Sequence, residues 1–302
     1  MAVNEKWGQV TEADILEANI NKYNDDHVIN YYKDIEDTKY TYIEYEIVIK
    51  AVMDALSGAL GSSIQAVDMC GGAGKAAFIM KQYQPASEVS LVDLSEKMLE
   101  IAHERMIKEG VGEIKIVQAD AFSFLETSGQ YDLMVFSSAI HHFKDPIRLL
   151  TTAKERLSPQ GIIIVIAEPT TKVQTRLFKL MTFLFAHKEY KQAVVRKWVK
   201  HIFSPSDTSA DEALVDIAEY QAYKGFDDQA LASQLNSAGL HPLVHMRYPA
   251  GEPFMLKVMP YIGLNWTFGL VLRNGQHPDD SKLSTELQYR IKAELPFKTD
   301  FL

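Results

Sequence analysis

Between residues 64 and 167, five short apolar runs alternate with amphipathic helical patterns, and this alternation restricts the chain to few folds. The runs cover 64–69, 88–92, 114–118, 133–136 and 162–167. Helical spacing of apolar residues recurs between them at 75–82, 96–109 and 146–157. Apolar runs that do not alternate with polar residues are buried on both faces, so the pattern predicts a parallel sheet wrapped in right-handed crossovers. Regularity lapses over 170–225, which reads as a helical insertion. It resumes with a helix over 227–238, capped by Asp227 and stopped at Gly239. Two strands follow, 241–248 and 266–272, with no helix required between them, so they are expected as an antiparallel pair at the sheet edge. The expected architecture is therefore α/β: seven strands, five parallel ones closed by an antiparallel hairpin, with a helical cap and lid. Its boundaries fall at 1–60 for the N-terminal helical cap and 61–169 for the core. The lid insertion is 170–225, the completion of the sheet 226–275, and a C-terminal tail 276–302.

Composition narrows the partners. With 302 residues, 47% hydrophobic and 24% charged, the chain has ample material for a core. A formal charge of −9 argues against a surface that attracts nucleic acid or anionic lipid. Cys70 is the single cysteine, which excludes an internal disulfide and fits a reducing cytoplasm. The first 14 residues carry acids and no apolar run, so a signal peptide is not expected. The most apolar stretch, 177–186, is interrupted by Lys179 and is shorter than the ~20 residues of a membrane helix. A small-molecule substrate is the expectation.

The segment Val67-Asp68-Met69-Cys70-Gly71-Gly72-Ala73-Gly74 follows the first strand and opens a helix. Glycines there allow a tight turn and let a ligand lie against bare backbone. Gly72-Ala73-Gly74-Lys75-Ala76-Ala77 also satisfies the dinucleotide fingerprint, with Asp93 at the distance of a ribose-binding acid, so a nicotinamide dehydrogenase competes. Three features weigh against it. Asp68 lies in the turn, where an acid would repel a pyrophosphate but suits a ligand bearing a sulfonium and an ammonium. Gln118-Ala119-Asp120-Ala121 ends the third strand, where a carboxylate can accept the adenine amine. Tyr131 to Ser138 forms the fourth strand, at the switch point where such sheets bind ligands.

Taken together, Asp68…Gly74, Val92-Asp93-Leu94-Ser95 with Met98-Leu99, Ala119-Asp120-Ala121, Tyr131-Asp132-Leu133 and Arg156 to Gly161 resemble the successive motifs of class I methyltransferases. The resemblance is nearest to the small-molecule branch of quinone C-methyltransferases and sugar or natural-product O-methyltransferases. It implies a Rossmann-like methyltransferase sheet and S-adenosylmethionine as cofactor. It further implies that Asp93 holds the ribose hydroxyls, with Leu94 and Met98 beside the adenosine. Asp120 and Ala121 would meet the adenine, Gly72 and Gly74 would underlie the methionyl part, and Asp68 would face its ammonium directly or through water. Ser137 would close the site from the fourth strand. Cys70 stands where the family's first glycine sits, a replacement expected to be tolerated if φ stays negative. Asp93 as a strand-end surface acid, Asp120 as a turn residue and Met98 as a core residue are the bland alternatives.

Acceptor chemistry should lie beyond the fourth and fifth strands. A hydroxyl acceptor such as a phenol, of pKa ~10, needs a base or electrostatic help at neutral pH. Ile140-His141-His142-Phe143 and Ala167-Glu168-Pro169 occupy those places, and the resembling sugar O-methyltransferases make His141 and Glu168 the candidates, with His142 a weaker one. No metal is expected, because adjacent histidines should diverge and no carboxylate cluster accompanies them. The insertion joins an apolar helix around Phe183 and Phe185 to a basic run, Lys188, Lys191, Arg196, Lys197, Lys200 and His201. That run is a solvated helix face, or it meets an anionic group on an amphiphilic substrate, a membrane or a partner protein. The expected activity is methyl transfer to a partly apolar small molecule at oxygen. Nitrogen or carbon acceptors, a catalytically silent cofactor-binding protein and a dehydrogenase are the alternatives.

Overall fold

Strands form here because consecutive apolar residues must be buried on both sides of a pleated ribbon. In β4 (Tyr131–Ser137), Leu133 and Val135 enter one core while Met134 and Phe136 enter the other. In β5 (Leu157–Pro169), Ile162, Ile164 and Ile166 alternate in the same way with Ile163 and Val165. The computed structural model describes residues 9–30, 43–61, 63–185, 217–250 and 253–302. The basic run from Lys188 to His201 lies outside the described residues, as does the side chain of Phe185.

Among the described residues the sheet has eight strands, in the order β3 (Lys115–Gln118), β2 (Glu88–Asp93), β1 (Gln65–Met69), β4, β5, β7 (Thr267–Asn274), β6 (Leu240–Tyr248), β8 (Asp300–Phe301). The parallel strands are β1 to β5. Strand order reverses between β1 and β4, where the crossovers diverge and leave a crevice at the strands' C-terminal ends. Helices Ile43–Leu60, Lys75–Tyr83, Glu96–Glu109 and Asp280–Glu294 cover one face. Helices Ala121–Thr127, Pro146–Lys154 and Asp228–Ser237 cover the other. Asp227 caps the last of these through the Ala230 amide at 3.0 Å, and Gly239 takes the left-handed φ of +83° that ends it.

Two differences from expectation concern the far edge. The hairpin partners β6 (Leu240–Tyr248) and β7 (Thr267–Asn274) do pair antiparallel, but β7 inserts between β5 and β6. The edge is instead β8 (Asp300–Phe301), paired with β6, so the sheet has eight strands rather than seven. Residues 276–302, read as a tail, contain the helix Asp280–Glu294. Its Leu287 and Ile291 are buried against the helix Ile43–Leu60, with Arg290 paired to Asp54 at 2.5 Å. Among the described residues no helix is long and apolar enough to cross a membrane.

Candidate functional site

The crevice at the switch point opens into a cavity of about 1300 Å³. That exceeds the roughly 300–1,000 Å³ typical of a site for one small ligand, so it has room for a second. Of the expected residues, Gly72, Asp93, Leu94, Met98, Asp120, Ala121, Ser137 and His141 line it. Asp68, Gly74 and Glu168 do not.

The β1 turn is built around a carboxylate. Because Val67 and Met69 face one core, the pleat sends Asp68 to the other side, beneath the helix Lys75–Tyr83. There it is fully buried, its Oδ2 accepts the Ala77 amide at 2.9 Å, and its Oδ1 has no hydrogen-bond partner among the described residues. Burial pushes its carboxyl up to about 7. Asp68 therefore shapes the loop from inside and does not touch the cavity, contrary to its expected place beside an ammonium. Gly71 closes over it: a Cβ there would lie 2.4 Å from Asp68 Cγ. Gly72, at φ +53°, has open space where a Cβ would point, which is the bare backbone a ligand needs. Gly74, at φ +82°, starts the next helix and packs on Leu91 and Phe78 instead of on the cavity. Cys70 has φ +54°, not the negative value expected, a left-handed backbone that costs a non-glycine residue about 1–2 kcal/mol. Ser138 (φ +51°) and Ala167 (φ +62°) share that conformation at the ends of β4 and β5. All three line the cavity, a clustering of backbone strain typical of functional sites.

Asp93 ends β2 with both oxygens fixed: Oδ2 accepts from the Gly72 amide and Oδ1 from the Ser95 amide, each at 2.8 Å. Each oxygen keeps a lone pair for a diol. Burial raises its pKa, though these amides oppose the shift. Asp120 caps the helix Ala121–Thr127, with Oδ1 accepting from Phe122 and Ser123 amides at 3.1 Å. The residues thus fit S-adenosylmethionine: an open glycine backbone, a fixed carboxylate for the ribose and a second acid one strand further on. Cys70 lies among these acids; burial and then Asp93 push its thiol well up, so it is a neutral wall rather than a nucleophile.

Beyond β4, a short 3-10 turn (Ile140–His142) carries both histidines. Glu168 is fully buried, with both oxygens hydrogen-bonded. Its Oε1 accepts the Ala139 and Ile140 amides at 2.6 and 2.8 Å, and its Oε2 accepts from His141 Nδ1 at 2.9 Å. It cannot reach an acceptor; it orients His141. Burial would lower the His141 pKa, but the adjacent Glu168 carboxylate, assisted by Glu219, turns the net shift upward. His142 Nδ1 donates to the Ala218 carbonyl at 2.8 Å, and burial beside His141 lowers its pKa to about 3. The two rings do not diverge as expected: their centroids are 4.0 Å apart, at 47°. Glu219 joins them, its Oε2 3.6 Å from His141 Nε2. Glu219 Oε1 accepts from Tyr23 Oη at 3.0 Å and from Lys22 Nζ at 2.9 Å, while Tyr23 Oη also lies 3.2 Å from His142 Nε2. Sequence reasoning missed Lys22, Tyr23 and Glu219; no local pattern marks them, because they meet the histidines across the fold. The helix Arg176–Phe185 adds Phe178, Lys179 and Phe183 to the cavity, with Phe178 against Trp266 at 5.1 Å.

A glycine turn after β1, an acid after β2 and another after β3 at a switch-point crevice define a nucleoside-binding, doubly wound α/β protein. Residues 66–161 match the family described as methyltransferase domain. Over 134 residues the chain is 28% identical to the ubiquinone/menaquinone biosynthesis C-methyltransferase of Pseudomonas entomophila (strain L48), covering 43% of this chain and 52% of that protein. The chain spans about half the length of the curated relatives it matches. In fold it is similar to magnesium protoporphyrin IX methyltransferase from Synechocystis PCC 6803 with bound SAH, at TM-score 0.55 and 12% identity, covering 87% of this chain and 100% of that one. It is also similar to the plantazolicin methyltransferase in complex with SAH, at TM-score 0.54 and 15% identity, covering 91% and 99%. Residues 66–161 thus match a methyltransferase domain, and the fold is similar to that of methyltransferases solved with SAH bound.

Proposed function

We propose that this protein transfers a methyl group from S-adenosylmethionine to an oxygen of a partly apolar small molecule, with His141 receiving the acceptor's proton. The observation that carries this reading is His141, on the wall of the cavity that Gly72 and Asp93 also line, oriented from behind by Glu168 at 2.9 Å. Bound S-adenosylmethionine supplies a methyl carbon already activated by its sulfonium. What remains for the chain is to orient the acceptor, exclude water and take a proton. Glu168, held by two amides, keeps the Nδ1–H tautomer of His141 and leaves Nε2 as the basic nitrogen, 3.6 Å from Glu219 Oε2. Phe143, Phe178, Phe183 and Trp266 supply apolar walls, and Arg148 and Lys179 suit an anionic group on the acceptor.

Methylation at carbon is a second reading, favoured by the likeness to quinone C-methyltransferases. A hydroxylated ring methylated at carbon also reacts through its deprotonated form, so His141 serves either outcome. Calorimetry with S-adenosylhomocysteine against NADH separates methyl transfer from hydride transfer. His141→Ala should then lower turnover by ~100-fold or more while cofactor affinity changes little. Near-normal turnover would remove His141 from the chemistry. The site of the transferred methyl in the product, read by NMR, separates oxygen from carbon.

A further inference from the structure

We propose that His141, His142 and Glu219 form a binding site for a divalent transition-metal ion of the zinc type on the wall of the cavity. One ligating atom from each lies within 4.8 Å of the other two, and all three residues line the cavity. The protonation pattern is already that of a ligand set. A carboxylate and a carbonyl can only accept, so His141 gives its Nδ1–H to Glu168 and His142 gives its own to Ala218, at 2.9 and 2.8 Å. Each ring then keeps its Nε2 lone pair. Histidines that hold metals are oriented in this manner, by donating the other ring N–H to a carboxylate or a backbone carbonyl. Glu168 is anchored in turn by the Ala139 and Ile140 amides.

The remaining contact points the same way. His141 Nε2 and Glu219 Oε2, both acceptors when the ring is neutral, face each other at 3.6 Å, too far for a shared proton. An ion ~2.1 Å from each would subtend an angle of roughly 120°, well within four-coordinate geometry. Two imidazoles and one carboxylate leave positions open toward the cavity, as in catalytic rather than structural metal sites. Lys22 and Tyr23 occupy the same groups: the ammonium lies on Glu219 Oε1, and the hydroxyl lies between that oxygen and His142 Nε2. A bound ion takes the place of these contacts, so charge repulsion from Lys22 opposes binding. An acceptor hydroxyl in an open position would lose its proton to water at lower pH, because the ion stabilises the alkoxide or phenolate. That role rests on the methyl-transfer reading above: with the ion bound His141 is a ligand, without it His141 is the base, and the metal site itself does not depend on that reading.

The test is binding of Zn²⁺ and Co²⁺ to the full chain, stripped with chelator and titrated without substrate. One equivalent should bind, with Co²⁺ giving the intense visible bands of a four- or five-coordinate site. His141→Ala, His142→Ala and Glu219→Ala should each weaken binding by at least ~100-fold, and Glu168→Gln by ~10-fold through loss of orientation. Lys22→Gln should tighten it, a direction that general loss of structure cannot produce. Circular dichroism and S-adenosylhomocysteine affinity establish that each variant is folded. Absence of a stoichiometric site, or a site that survives His141→Ala/His142→Ala, overturns the proposal. S-adenosylhomocysteine binding without metal binding sinks this inference alone, and metal binding without it sinks the functional reading alone.

Discussion

Glu44 is 4% exposed, lines the cavity, and has its carboxyl raised by burial to about 7 from an ordinary 4.5. The native state therefore holds this proton more tightly than the unfolded chain does. Below pH 4.5 both states are protonated and nothing is lost. Between pH 4.5 and 7 the unfolded state releases its proton first and stability falls, reaching a full cost of up to about 3 kcal/mol above pH 7. Glu44→Gln removes that dependence. Denaturant unfolding should find the variant level with the parent at pH 4 and increasingly more stable as pH approaches 8; a constant difference would mean Glu44 ionises freely in the fold. Asp93 makes the opposite kind of contribution, to a ligand. Its fixed oxygens suit a ribose diol through charge-assisted bonds of about 1.5–3 kcal/mol. Asp93→Ala should weaken S-adenosylhomocysteine binding at least ~10-fold in calorimetry, and unchanged affinity would take the residue out of the site.

At the scale of the element, adjacent glycines in the β1 turn should respond oppositely. Gly71→Ala drives a methyl to 2.5 Å from Asp68 Oδ2 and 2.6 Å from Leu91 Cδ1. Neither atom can move freely, since Asp68 is pinned by the Ala77 amide and Leu91 lies in the core. The variant should lose roughly 1–3 kcal/mol or more, seen as a lowered Tm. Gly72→Ala meets open space and bears only the left-handed strain, about 1–2 kcal/mol, but its methyl enters the cavity. It should keep most of its stability and lose cofactor affinity. If both variants behave alike, the turn does not divide labour between supporting Asp68 and cradling a ligand. Motif position alone could not assign these tasks: which glycine touches a ligand depends on the direction in which the chain leaves the pleat.

Across the whole molecule, the cavity is roofed by elements remote in sequence: helix Glu12–Tyr23, the 3-10 turn Ile217–Glu219 and helix Arg176–Phe185. The last turns Phe178 and Phe183 to the cavity while Leu177 and Leu180 are exposed, 43% and 53%. A roof with so little apolar surface buried should open more readily than the sheet. Hydrogen exchange within Arg176–Phe185 should slow when S-adenosylhomocysteine and acceptor bind together, and Phe183→Ala should raise KM more than it lowers stability. Slow exchange without ligand, with unfolding of the variant, would make this helix scaffold. The succession of strands and helices along the chain, the turn glycines, the Asp227 cap and the acids after β2 and β3 were legible in the sequence, because apolar period, turn chemistry and strand ends are properties of neighbouring residues. The direction of Asp68, the burial of Glu168 and the insertion of β7 before β6 were not. Nor was the meeting of His141 and His142 with Tyr23 and Glu219. Glu219 lies 196 residues from Tyr23, and only the packing of the two segments over the β4 end brings their polar atoms within 3.0 Å. Spacing along a chain encodes local geometry; distance through a folded core is set by which faces must bury one another.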